Sequence, residues 1–230
     1  MTTPPSGAKL GSEDDWIRQG LFGSQTMTEL LRHTKLSGTG PFESIAEANH
    51  LVNDGKIDDA KSSLRGILNS PALETRIELW VWSALRELSE RPEPKLAFEI
   101  LGAVVEVPMQ DAYDTLAAYK DGTARYLNFS GKAIFWDAKD QTILALCQAL
   151  LAATVPAGSQ AKPRASVSLP KSGMQVTLLT RSGMFAIPNP PMTIVKAAAG
   201  LMNELIRRAE APGRIVDTRH AHNSSLPPTS

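Results

Sequence analysis

Residues 114–137 read DTLAAYKDGTARYLNFSGKAIFWD. Two turn signals divide this stretch. Lys120-Asp121-Gly122 lies between strand-like flanks, and an Asp-Gly pair there marks a hairpin because glycine tolerates positive φ. Ser130-Gly131-Lys132 gives a second turn, and KAIFWDA follows as another strand. The stretch holds Tyr119, Tyr126, Phe129, Phe135 and Trp136. Aromatic residues at these positions are expected in the core of a sheet and in cross-strand pairs. Upstream, ILGAVVEVP is a short β-branched run closed by proline and reads as a strand. Downstream, DQTILALCQALLAATV reads as a helix with its apolar stripe on Ile143, Leu146, Cys147, Leu150 and Leu151. Asp137 or Asp140 stands where a carboxylate caps the helix.

A similar plan recurs after a linker-like VPAGSQAKP at 155–163. RASVSLP is expected to be a strand. MQVTLLTRSGMFAIP is a hairpin about Arg181-Ser182-Gly183, and MTIVKAAAGLMNELIRRAE is a helix. These patterns predict an α+β protein whose antiparallel sheet is built from two strand–hairpin–helix units, 102–154 and 164–209, with the helices on one face. The units could be related by a pseudo-twofold, or they could belong to a non-repeating sheet.

Before the sheet domain at 96–209, residues 16–92 read as a helical segment. Ile45, Ala48, Leu51 and Val52 share one helical face, Gly55 breaks the run, and Ile57, Ala60, Leu64, Ile67 and Leu68 form a second stripe. A third helix, ALETRIELWVWSALRELSE, carries its stripe on Leu73, Ile77, Trp80, Val81, Ala84 and Leu88. Leu79 and Trp82 fall outside that stripe. A helix apolar on more than one side is sandwiched between layers, so this helix should join the helical segment to the sheet. Residues 1–15 and 211–230 have the composition of a disordered head and tail.

Two resemblances rest on these residues. Ala60, Leu64 and Pro71, with Gly55 at the turn, resemble the second-helix half of a tetratricopeptide repeat. The first half departs from that pattern at Ser44, Glu47 and Ala48. The resemblance covers 44–71 and implies a helical hairpin. The run LAAYKDGTARYLNFSGK is similar to one in uncharacterised bacterial proteins. That likeness implies a fold and carries no activity.

The chain has 230 residues and no formal net charge, so nothing global favours nucleic acid or membrane. One cysteine excludes an internal disulfide and suits a reducing cytoplasm. The start lacks a signal-peptide pattern, and no run of about 18 consecutive apolar residues occurs. The charge is uneven along the chain. Residues 96–160 carry four basic and seven acidic side chains, whereas 161–230 carry nine and three. Either the two segments neutralise each other within the fold, or a basic face awaits an acidic partner.

The phosphate-loop, dinucleotide and nucleophile-elbow motifs do not occur. His33 and His50 are isolated, the His220/His222 pair lacks further ligands, and Cys147 lies on an apolar stripe. Asp111 and Asp121 are explained by loop and turn, which leaves Asp114 at a strand start. No cofactor or metal is expected.

The expected function is therefore a non-enzymatic interaction or scaffold protein. Its partner would be another protein or a second copy, because open sheets have edges that a copy can cover. Trp82 is a candidate interface anchor. The alternative is a small-ligand sensor or enzyme with a pocket between the sheet and the Trp80/Trp82 helix, its polar groups being Asp114, Arg125 and Lys132. A weaker alternative is RNA contact through Lys162, Arg164, Lys171, Arg181, Arg207 and Arg208; nucleic acid is not the expected partner.

Overall fold

The computed structural model describes residues 12–33, 40–109, 112–137, 139–170, 172–209 and the two-residue strand 216–217. Most of the tail read as disordered, and residues 1–11 of the head, lie outside these. Asp111 and Lys171 also lie outside them.

Five helices come first: α1 (Ser12–Leu21), α2 (Met27–His33), α3 (Pro41–Asn53), α4 (Ile57–Leu68) and α5 (Thr75–Glu87). Thus α1 begins inside the stretch expected to be disordered. The hairpin read at 44–71 corresponds to α3 and α4, which turn at Gly55. Ile45, Ala48, Leu64 and Ile67 from this pair meet Ile77, Trp80, Val81 and Ala84 of α5 in one apolar cluster.

The sheet strands are β1 (Ile100–Pro108), β2 (Tyr113–Tyr119), β3 (Ala124–Leu127), β4 (Lys132–Trp136), β5 (Lys162–Arg164), β6 (Gln175–Thr180), β7 (Gly183–Pro188) and β8 (Val216–Asp217). Between β4 and β5 run α6 (Gln141–Thr154) and a short 3-10 helix, Val155–Gln160; α7 (Met192–Ala209) follows β7. The strands form one sheet in the order β5-β7-β6-β1-β2-β3-β4-β8. Every neighbouring pair is antiparallel. The architecture is α+β, with helices followed by an antiparallel sheet and two long helices.

Both predicted hairpins form. Gly122 closes the first at φ +85°, and Gly122 N–H donates to the Tyr119 carbonyl at 3.0 Å. Asp140 caps α6, accepting from the amides of Thr142 at 2.9 Å and Ile143 at 3.1 Å.

Three expectations are corrected. The first strand of the second unit is Lys162–Arg164, not RASVSLP, and 165–170 run on without strand structure. The reason is that Arg164 turns inward onto a buried carboxylate and its side chain binds the carbonyls of Ser166 and Ser168. The two stretches also differ in connection: β1 pairs with β2, whereas β5 pairs with β7 rather than β6. Finally, helices cover both sheet faces. Ala103, Val105, Leu116, Ala118 and Tyr126 pack under α6 and α7. Val104, Ala117, Tyr119 and Leu179 pack on the other face against Leu21, Phe22 and Leu79. The central strands β1 and β2 are buried almost throughout, as a sheet covered on both sides requires.

Within α5, Leu79 joins the sheet cluster while Trp80 and Val81 join the helical one. This helix is the joint between the two parts. On the same side, the Tyr119 hydroxyl donates to the Leu21 carbonyl at 2.7 Å and fastens the end of α1 to the sheet.

Candidate functional site

On α5, Leu79, Ser83, Arg86 and Glu87 recur at helical spacing and share the side turned to the sheet. Leu79 fills the contact with the sheet. Ser83, one turn on, is too small to do so. A cleft of about 310 Å³ opens there between α5 and the β6–β7 hairpin, with Phe22, Ser24 and Arg164 contributing to its wall. Gly23 sets the near side of the cleft. Its φ is +58°, and a Cβ at this position would lie 2.7 Å from the Cβ of Leu79, so only glycine fits.

A charge network adjoins this wall. Glu106 is 0% exposed, at a central position of β1. Its carboxylate pairs with Arg18 from α1 and with Arg164 Nη1 from β5 at 2.6 Å. Gln175 Nε2 donates to the same carboxylate at 3.5 Å. Both guanidinium groups stand over the Phe22 ring, Arg18 at 5.3 Å and Arg164 at 4.9 Å from its centroid. Two buried cations on one buried anion leave one positive charge in excess. Arg86 adds another. Its Nη1 donates to the Arg181 carbonyl at 2.6 Å, and no carboxylate lies within 4.0 Å of it among the described residues. Burial holds its pKa below the usual guanidinium value, with Arg91 adding to that and Glu87 opposing it. Burial also raises the Glu87 carboxyl pKa.

The expected pocket therefore has the expected position, between the sheet and the Trp80/Trp82 helix, but other polar groups. Asp114 and Arg125 lie on opposite faces of the sheet. Asp114 is buried and accepts from the Tyr126 hydroxyl at 2.8 Å and the Phe129 amide at 2.7 Å, which ties β2 to the following turn. The Tyr126 phenol is pushed up to about 12, chiefly by burial, although its bond with Asn128 acts the other way. Arg125 is 2% exposed, donates to the Trp136 carbonyl at 3.1 Å and pairs with Asp137. Lys132 is exposed, beside a separate hollow of about 290 Å³ with Phe129 and Ile206. Trp82 is half-buried against the helical cluster.

The basic residues do not form one free patch. Arg164 is buried on Glu106, and Arg181 pairs with Glu78 and Glu99. Arg207 pairs with Glu204 at 2.6 Å, and Arg208 with Glu204 at 2.7 Å and with Asp140. Glu99, Glu106 and Asp140 belong to the acidic segment, and Arg181, Arg164 and Arg208 to the basic one. The two segments neutralise each other across the sheet. Arg18, Arg86 and Glu106 were not anticipated as site residues. The readable signal was Glu106 itself, one charge inside the apolar run ILGAVVEVP.

A second surface stands out on the opposite layer. Helix α6 buries Ile143, Cys147, Leu150 and Leu151 against the sheet and exposes Ala145, Gln148, Ala149 and Ala152. No residue from Gln141 to Ala161 is charged. By length and composition alone, Gln141–Gln160 is apolar enough to cross a membrane, and 33% of it is buried within the fold. Val155, just past α6, is 62% exposed. Met192, at the start of the antiparallel neighbour α7, is 64% exposed.

Among the described residues no group of three or more His, Cys, Asp or Glu is placed to hold a metal ion. No protein-family profile, curated protein or solved structure matches the chain.

Proposed function

We propose that this chain is a non-enzymatic interaction protein that self-associates through the outward face of α6. The observation that carries this reading is the uncharged surface of that helix. A helix covering one face of a sheet ordinarily carries charged side chains on its outer side. Here the outer side is Ala145, Gln148, Ala149 and Ala152, continued by exposed Val155. Small side chains let a second helix approach closely. A face without charge meets its own copy with no like-charge repulsion, as a twofold contact requires.

Strand addition is the less favoured route. The edge strand β5 has three residues, and its central Pro163 has no amide donor. The expectation of a covered edge thus gives way to a covered helix.

Sedimentation velocity or light scattering across micromolar concentrations tests the proposal. A dimer insensitive to salt is expected, and Ala149→Arg should convert it to a folded monomer. A wild-type monomer throughout that range, or a dimer unaffected by Ala149→Arg, would remove this reading.

A further inference from the structure

We propose that the cleft between α5 and the β6–β7 hairpin binds a small molecule bearing a carboxylate or phosphate group, held by Arg86 and Arg164. The volume, about 310 Å³, is at the small end of the ~300–1,000 Å³ range of small-molecule clefts. The charge around it is positive. Arg18, Arg164 and Arg86 stand against Glu106 and Glu87, and Glu106 is already shared between two of the cations.

Arg86 gives the second, independent argument. A partly buried guanidinium whose nearest strong acceptor is a neutral carbonyl is costly, and burial lowers its pKa accordingly. An anion in the cleft would supply the missing counter-charge through charge-assisted hydrogen bonds. Arg164 is already oriented. Its contacts with Glu106 and the Ser166 and Ser168 carbonyls hold the guanidinium plane over Phe22. Little side-chain entropy would be lost on binding. Ser24 and Ser83 add hydroxyl groups to the wall, and the Phe22 ring an apolar surface. Glu87 lies at the same cleft and disfavours highly charged anions, so a ligand with one anionic group is the better fit.

Isothermal titration with inorganic phosphate, with acetate and with uncharged glycerol tests this on the full chain. Phosphate or acetate should bind and raise the melting temperature, and which of them does so identifies the anionic group. Glycerol should do neither. Arg86→Gln should weaken binding about tenfold or more, the scale of a lost charge-assisted bond. Ser83→Leu keeps both guanidinium groups while filling the cleft, and it should also abolish binding. Arg207→Gln, on the remote face of α7, should leave it unchanged. No binding of either anion at millimolar concentration, equal binding by glycerol, or full affinity in folded Arg86→Gln or Ser83→Leu would overturn the proposal. None of these outcomes depends on the oligomeric state.

Discussion

The Asp121 carboxylate, in the turn between β2 and β3, accepts the backbone amide of Thr75 at 2.7 Å and so caps α5 from 46 residues away. The residue preceding α5, Glu74, makes no side-chain cap of its own. The same Asp121 accepts from the Thr123 amide at 2.9 Å and its hydroxyl at 2.8 Å. One side chain thus shapes the hairpin and fixes the start of the helix that lines the cleft.

Removing that cap should destabilise the fold without unfolding it. Asp121→Ala is expected to cost about 1–2 kcal/mol, the usual range for a lost cap. Urea denaturation should show a lower midpoint with an unchanged slope.

Glu106 should be far less tolerant. Glu106→Gln leaves two buried guanidinium groups without a counter-charge, and breaking a buried pair from one side costs about 3–5 kcal/mol. Replacing all three members together, as Glu106→Leu with Arg18→Met and Arg164→Met, should cost much less. Chemical denaturation of the single and triple variants gives the comparison directly.

Gly23→Ala should destabilise by about 1–3 kcal/mol, because a side chain must adopt the left-handed conformation and also meet Leu79 at 2.7 Å. The effect should appear in the thermal midpoint. Phe22 should shift with it, so near-ultraviolet circular dichroism should change as well.

Cys147 predicts the alkaline behaviour. It is fully buried, and burial raises its thiol to about 12 from an ordinary value of 9.0. The folded state therefore keeps its proton where the unfolded chain loses it. Stability from this group is complete below about pH 9 and is lost as pH rises from there toward 12. Wild type should lose stability over that window more steeply than Cys147→Ala. A thiol reagent at neutral pH should label Cys147 only on unfolding.

At the acid end, Glu204 holds its proton only below about pH 2, because Arg207 and Arg208 bond its carboxylate. A depressed carboxyl contributes stability above the unfolded value, 4.5, and that contribution is lost as pH falls through about 2. Glu204→Gln should flatten the acid limb of a stability profile between those values. Because the side chains are at the surface, salt should flatten it too.

What could be read from the sequence was local. The Asp121-Gly122 turn, the cap at Asp140 and the two-sided character of α5 each depend on residues a few positions apart, where periodicity and turn chemistry act. The position of the cleft followed from Leu79 falling outside the apolar stripe. Its residues did not follow. Arg18 reaches Glu106 across 88 positions and Arg164 across 58, and no local pattern encodes such meetings. The strand expected at RASVSLP failed for the same reason: a distant carboxylate draws Arg164 inward and ends the strand there.

Strand β1 pairs with β2 on one side and with β6 on the other. Its Glu106 is neutralised from one residue that precedes the sheet and another that follows α6. A ribosome that has delivered only the first 160 residues has made β1 through β4 and α6, yet the middle of that sheet still lacks a neighbour and its central acid still lacks Arg164. The early helices α1 and α5 likewise lack part of the surface against which they close. Completion of this protein waits on its last third, so C-terminal truncation before β6 should send the chain to proteolysis rather than yield a smaller folded unit.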